Sequence, residues 1–285
     1  MAHQYIHADR ENGVLTITLD DPTARNAIRP EMVTELLAEF DRFDSEPDDK
    51  VLLLTGKDPS FCAGANIKVF NQVIESRGVQ EEKPSQLPWG KMEHQLGYKK
   101  DAGQAQGSLS GSVLPLRIQE IQKPTIAAIN GHAMGLGLGL ALSCDVRLAS
   151  DQAQLSETFV RMGLVPGDGS AWQLPRLIGL SQTFLMQYTG ERLDAAEAYR
   201  IGLVSRVYPH DELMTNAHEL AARMASGATY AMSLTKYLVN KSMGLDMRES
   251  MELAHSAQEL ARRSDDHKEA VQAFLEKRQP QFKGK

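Results

Sequence analysis

Backbone N–H groups beside glycine are the first candidates for chemistry in this sequence. GLGLGL begins at Gly135, between a predicted strand TIAAIN (125–130) and a helical stretch LALSC, and SFCAGANI (60–67) follows a predicted strand VLLLTG (51–56). Each loop leads into a predicted helix, and the N–H groups of a first helical turn have no partner within the helix. Two such loops at the ends of neighbouring strands can place two donors on one oxygen that becomes negative during a reaction.

The glycine spacing does not fit a nucleotide-phosphate loop. Gly135, Gly137 and Gly139 have the spacing GxGxG, so the third glycine of a dinucleotide fingerprint would fall on Leu140. The Lys-Ser/Thr pair of a phosphate-binding loop is missing as well. Small residues that permit tight helix packing are the alternative explanation, and the second loop favours a site for developing negative charge.

Asp168 is the carboxylate best placed to act beside these donors. It lies between two glycines in GLVPGDGS (163–170), immediately before a predicted helix AWQLPRLIG. An aspartate in this setting is an ordinary helix cap. A carboxylate close to an oxyanion site is also a candidate general base.

The elements that position these loops follow an α/β pattern. Apolar strands alternate with helical stretches: VLTITL (14–19), a helix from Pro30 to Phe43, VLLLTG, a helix from Ile67 to Ser76, TIAAIN and VRLAS. Strands separated by helices predict a core whose strands run largely parallel. After Ser181 the pattern is helical almost throughout, and Asp194 is placed to cap AAEAYRIG.

We therefore divide the chain into a core over residues 1–200 and a helical region over residues 201–285. Residues 71–113 are polar, rich in glycine and weakly periodic, which predicts a long loop or lid. Trp89, His94 and Tyr98 could supply recognition groups there, and simple mobility is the alternative.

Composition limits the function classes. The 285 residues are 42% hydrophobic and 24% charged, as expected for a soluble globular protein, and no apolar run is long enough to cross a membrane. The formal net charge of −6, without a basic patch, argues against nucleic-acid partners. Cys62 and Cys144 form no metal-binding or disulfide pattern and the first residues are not signal-like, so we predict reduced thiols, no metal site and a cytoplasmic location.

On these loops and their neighbours the chain resembles the crotonase, or enoyl-CoA hydratase/isomerase, superfamily. The blocks that carry the resemblance occur in the family order: DDPTARNAI, VLLLTG, SFCAGANI, KPTIAAINGHAMGLGLGLALSCDVRLAS, MGLVPGDGSAWQLPRLIG, TGERLDAAEAYRIGLVSRV and FLEKRQPQFKG. The resemblance implies an α/β spiral of repeated ββα units with a C-terminal helical trimerisation region. It also implies an acyl-CoA thioester substrate, no permanently bound cofactor, and homotrimers that often pair into hexamers.

The resemblance further implies roles for single residues. The backbone N–H groups of Ala65 and Leu136 would hold the thioester oxygen as it becomes an enolate, although family members more often have glycine where Leu136 stands. Lys277 and Phe282 match family positions that can cover coenzyme A from a neighbouring subunit. We also assign Ala63 and Lys68 to the coenzyme A site, where the compact charge of Lys68 could pair with a phosphate.

The two catalytic glutamates of the family's hydratases are missing. Gly139 and Phe159 stand at their positions, and Glu157, two residues before Phe159, would approach the site only if the local register differed. We expect Glu157 to be an ordinary exposed glutamate. A single carboxylate, Asp168, beside an oxyanion hole favours double-bond isomerisation over classical hydration. Hydrolysis or dehalogenation of a cyclic or aromatic substrate, and acyl-CoA binding without catalysis, remain the alternatives.

Overall fold

The computed structural model describes residues 3–66 and 113–285. The helix predicted from Ile67 to Ser76, almost all of the 71–113 loop, and Lys68 lie outside these residues.

Ten strands form two sheets in the described part of the chain. The six-stranded sheet has the order β1-β2-β3-β5-β7-β10, and the four-stranded sheet has the order β4-β6-β8-β9. The strands are β1 (Ile6–Glu11), β2 (Val14–Leu19), β3 (Val51–Gly56), β4 (Ser60–Cys62), β5 (Thr125–Ile129), β6 (His132–Met134), β7 (Val146–Ser150), β8 (Gln154–Ser156), β9 (Leu193–Asp194) and β10 (Arg206–Tyr208).

Helices connect and cover these strands. In chain order they are α1 (Pro30–Ser45), α2 (Val113–Glu120), α3 (Leu136–Ser143), α4 (Ser170–Thr189), α5 (Ala195–Arg200), α6 (Leu213–Ala225), α7 (Thr229–Ser242), α8 (Met247–Arg262) and α9 (Asp265–Glu276). Asp194 caps α5 as predicted, because its side chain accepts a hydrogen bond from the N–H of Glu197. The helix α4 is bent at Gly179, whose backbone has a φ of +75°.

The strand sequences explain the layering of the fold. Residues of β3 are buried throughout, as expected for a parallel strand that is covered on both faces, whereas exposed residues alternate with buried or partly buried ones along the edge strand β1. The units β5-β6-α3 and β7-β8-α4 each give their first strand to the larger sheet and their second strand to the smaller one. The predicted α/β fold with repeated ββα units is thus confirmed.

Two hydrophobic cores lie on the two faces of the larger sheet. The main core joins β2, β3 and β5 to α1 and α3, with Phe40, Leu54 and Leu138 fully or almost fully buried. The second core lies under α6, whose buried residues Leu213, Ala217, Ala221 and Ala225 recur every four positions and so share one helix face.

Residues beyond the predicted boundary at residue 200 belong both to the larger sheet and to the helices that cover it. β10 pairs in parallel with β7, and Arg147 of β7 donates hydrogen bonds to Leu203 O (2.9 Å) and to Cys144 O (2.7 Å), the C-cap of α3. The division of function between the two regions remains a prediction. None of the helices in residues 3–66 and 113–285 has the length and apolarity needed to span a bilayer.

Candidate active site

The two glycine-containing loops meet at one edge of the smaller sheet. β4 and β6 are parallel neighbours, so the loops after Cys62 and after Met134 leave the same edge. A Cβ atom on Gly64 would lie 2.6 Å from Met134 O and 3.7 Å from Leu136 N, and the φ of Gly64 is +95°. Only glycine fits this close contact and this backbone conformation.

The N–H groups of Ala65 and Leu136 are both left available by the local hydrogen bonding. Ile28 N donates to Gly64 O (2.7 Å) and Asn66 N donates to Ile28 O (3.0 Å). Ile28 therefore pairs with the residues on either side of Ala65 and not with the Ala65 N–H. Leu136 is the first residue of α3, where an N–H has no intrahelical acceptor. Among the described residues, no backbone acceptor engages either N–H.

Asp168 occupies the space that a side chain at position 139 would need. A Cβ on Gly139 would lie 2.5 Å from Asp168 Oδ2 and 2.8 Å from Asp168 Cγ. Gly139 follows Leu136 by three residues, about 4.5 Å along the helix axis and on the same side of it. The carboxylate therefore lies against the helix whose first N–H is a predicted oxyanion donor.

Ser170 fixes one oxygen of this carboxylate. Asp168 Oδ1 accepts hydrogen bonds from Ser170 N (3.1 Å) and Ser170 Oγ (2.7 Å). The predicted N-cap role is wrong by one residue, because Gly169 is the N-cap of α4 and Asp168 precedes it. Asp168 Oδ2 is buried without a hydrogen-bond partner among the described residues. Burial raises the pKa of Asp168 above its ordinary value, and the Ser170 hydrogen bonds partly offset this effect.

Glu157 corrects the sequence prediction. It is fully buried rather than exposed, and its Oε2 lies 3.1 Å from Ser170 Oγ. Burial raises the pKa of Glu157 well above its usual range, and the nearby Asp168 carboxylate raises it further. Glu157 reaches the neighbourhood of Asp168 without a shift of the sequence register. Its side chain extends to Ser170 at the start of α4 and does not occupy the position of Phe159.

Two further side chains hold α4 against α3. Gln173 Nε2 donates to Ser143 Oγ (2.9 Å), and Ser143 Oγ donates to Gly139 O (2.8 Å). This buried chain of hydrogen bonds joins α3, which carries Gly139, to α4, which begins two residues after Asp168. Sequence reasoning missed it, because neither a glutamine nor a serine within a helix signals which element it will meet.

Phe159 supplies apolar surface where the resemblance predicts a second glutamate. Its Cε2 would lie 3.6 Å from a Cβ on Gly135, and Thr158 Oγ1 would lie 3.2 Å from the same point. The donor loop therefore has an aromatic ring beside it rather than a second carboxylate.

The described residues that are predicted to contact coenzyme A lie in the loop after β4 and near the C-terminal end of the sequence. Ala63 lies in the donor loop, where its N–H donates to Arg25 O (3.0 Å). Lys277 is the exposed C-cap of α9, and Phe282 is partly buried in the C-terminal tail, whose Lys283 N–H donates to Asp266. No group of three or more His, Cys, Asp or Glu side chains within the described ranges is arranged to hold a metal ion.

The chain matches the family model described as enoyl-CoA hydratase/isomerase over residues 9–93 and 89–285. A 1,2-epoxyphenylacetyl-CoA isomerase of Escherichia coli is 32% identical over 284 residues, and a probable enoyl-CoA hydratase of Mycobacterium bovis is 31% identical over 282 residues; each alignment covers 99% of both chains. The crystal structure of an enoyl-CoA hydratase from Bacillus anthracis superposes with a TM-score of 0.83 at 30% identity, covering 99% of this chain and 100% of the other.

Proposed function

Because the chain belongs to the enoyl-CoA hydratase/isomerase family, we propose that it shifts a carbon–carbon double bond within an acyl-CoA thioester by moving one proton. The observation that carries this proposal is the Asp168 carboxylate, which lies against Gly139 of α3 with Oδ2 free of partners among the described residues. A base placed beside an oxyanion site is the arrangement that enolisation requires.

In the proposed reaction the thioester oxygen accepts hydrogen bonds from the N–H groups of Ala65 and Leu136. Asp168 Oδ2 removes a proton from a carbon next to the acyl double bond, and the electron pair of that C–H bond enters an extended enolate. The two donors stabilise the negative oxygen, each by about 3 kcal/mol. Asp168 then returns the proton to another carbon, which leaves the double bond in its new position.

Hydration is the second candidate, and Glu157 favours it. The chain lacks both family glutamates, but Glu157 gives the site a second buried carboxyl group within hydrogen-bond distance of Ser170. A pair of carboxyls can activate water and deliver a proton to carbon. We prefer isomerisation because Asp168, not Glu157, supplies the three atoms nearest to a Cβ on Gly139 of α3.

The test compares the wild type with Asp168→Asn on a panel of enoyl-, dienoyl- and aryl-CoA thioesters in D2O. We expect bond migration and deuterium exchange in the wild type and a loss of about 10²- to 10⁴-fold in the variant, since the general base is removed. Asp211→Asn, a change at an exposed aspartate in a short 3-10 turn, is the matched control and should retain full activity.

Four results would contradict the proposed isomerisation by Asp168. Exchange that survives in Asp168→Asn would contradict the role of Asp168, and water addition by the wild type without bond migration would favour hydration. Product release from an aryl-CoA through a covalent Asp168 ester would favour hydrolysis or dehalogenation. Tight binding with no turnover across the panel would favour a binding protein.

A further inference from the structure

A single hydroxyl group lies between two buried carboxyl groups. Ser170 Oγ is 2.7 Å from Asp168 Oδ1 and 3.1 Å from Glu157 Oε2, and both carboxyl groups are almost or fully inaccessible to solvent. A hydroxyl has one proton to donate, and an ionised carboxylate can only accept. Both contacts are hydrogen bonds only if one of the two carboxyls carries a proton.

Geometry indicates which carboxyl is protonated. The shorter contact is with Asp168, as expected when a hydroxyl donates to a charged oxygen, and Asp168 also accepts the backbone N–H of Ser170. Gln187 Nε2 lies 3.4 Å from Ser170 Oγ and can only donate to it. Ser170 Oγ therefore donates to Asp168 and accepts from Gln187 and from a neutral Glu157.

We propose that Glu157 is a positioning residue that acts on Asp168 through Ser170. As a neutral acid it donates to Ser170 Oγ and thereby fixes the Ser170 proton on Asp168 Oδ1, so that Oδ2 is the oxygen that exchanges a proton with the substrate. This inference deepens the proposed function and rests on it for the role of Oδ2.

Charge balance explains why a neutral Glu157 suits the reaction. Before proton abstraction the pair carries one negative charge, on Asp168, and afterwards that charge lies on the enolate oxygen while the substrate proton is on Asp168 Oδ2. The Glu157 proton does not move. An ionised Glu157 would add a second negative charge to a desolvated site and would oppose enolate formation.

Among residues 3–66 and 113–285, no cation that would hold Glu157 ionised acts on its carboxyl. Asp168 acts on it from the loop before α4, Ser170 contacts it from the first turn of α4, and Gln187 contacts Ser170. Arg161 approaches Gly190, beside the backbone carbonyl of Glu157 rather than its carboxyl. Asp168 is the charged group that acts on Glu157 in the described part of the chain.

The first measurement needs no substrate. Infrared spectra of the wild type across pH should show a protonated carboxyl that persists at pH values where exposed carboxyls are ionised, and Glu157→Gln should lack this band. Glu191→Gln, a change at an exposed glutamate, should leave the band intact. A wild type without the band, or a band that survives in Glu157→Gln, overturns the proposal whatever the enzyme catalyses.

The second measurement is the pH profile of proton exchange. We expect kcat of the wild type to fall at alkaline pH as Glu157 loses its proton, and Glu157→Gln, which keeps a neutral donor, to retain activity near neutral pH without that fall. Glu157→Ala should lose about tenfold in kcat with KM unchanged, the equivalent of one hydrogen bond.

Overlapping profiles of the wild type and Glu157→Gln, including two flat profiles, would refute the positioning role. Equal losses in the glutamine and alanine variants would mean that a neutral donor of the same size cannot replace the carboxyl, which contradicts the positioning role. Failure of the proposed function would appear separately, as exchange that is unaffected by Asp168→Asn.

Discussion

Asp168 supplies from a loop the carboxylate that a side chain at position 139 would otherwise supply from α3. The contact of 2.5 Å between Asp168 Oδ2 and a Cβ on Gly139 means that the two side chains exclude each other. The absence of a glutamate at position 139 is therefore a condition for the presence of Asp168. The sequence identified both residues, but not their contact, because the distance between loop and helix depends on how α3 and α4 pack.

The buried carboxyls also set the pH dependence of folding. Burial raises the pKa of Glu157 and of Asp168 in the folded chain. Between the ordinary and the raised pKa the folded chain keeps protons that the unfolded chain has lost, so the free energy of unfolding falls as pH rises through that window.

Glu157→Gln should remove part of this fall, since glutamine has no proton to lose. The free energy of unfolding is measured with urea from about pH 5 to about pH 9. Its decline with rising pH should be less steep in the variant than in the wild type, by up to about 1.4 kcal/mol per pH unit. Glu191→Gln is expected to keep the wild-type slope. Parallel slopes in all three proteins would contradict a raised pKa at Glu157.

At the scale of elements, the edge formed by β4 and β6 brings the two donor loops together. The sequence predicted the strands before both loops and the helix after the second, because long apolar runs and glycine punctuation are local signals. It did not predict the burial of Glu157, since the helix α4 that covers it begins 13 residues later and nothing in SETF indicates that contact.

Gly64→Ala tests the importance of this contact between loops. The new Cβ would lie 2.6 Å from Met134 O, so the loops must separate and the Ala65 N–H must move from its position. We expect kcat to fall by about 10²- to 10³-fold, the cost of one oxyanion donor. Gly202→Ala, also at positive φ (+82°) but 3.6 Å from its nearest neighbour, should lose stability without a comparable loss of kcat.

At the scale of the whole molecule, apolar side chains remain exposed on the C-terminal helices. Met247 and Met251 are 80% and 62% exposed and lie one turn apart on α8, and Phe274 and Leu275 of α9 are 83% and 75% exposed. Exposed apolar surface of this kind is typical of subunit interfaces. Because Lys277 and Phe282 lie on the same part of the chain, we propose that a homotrimer brings them to the site of a neighbouring subunit.

Light scattering after size-exclusion chromatography tests this assembly. The wild type should have the mass of three or six copies of the 31.5 kDa chain, and Met251→Glu should shift it towards one copy, because a charge would be buried at the interface. Leu116→Glu, at an exposed position on α2, should leave the mass unchanged. A wild type that elutes as a single copy would refute the trimer.

The two cysteines lie at opposite ends of α3. A Cβ on Gly137 would lie 2.2 Å from Cys62 O, so Cys62 is packed against the first turn, and Cys144 is the C-cap. Burial raises the pKa of both thiols to about 12, so neither is nucleophilic in the closed structure at neutral pH. An alkylating reagent can therefore react only when one end of this helix opens. The labelling rate of Cys62 then measures how often the first turn, with the catalytic geometry, opens. The labelling rate of Cys144 measures how often the C-terminal end of the supporting helix frays.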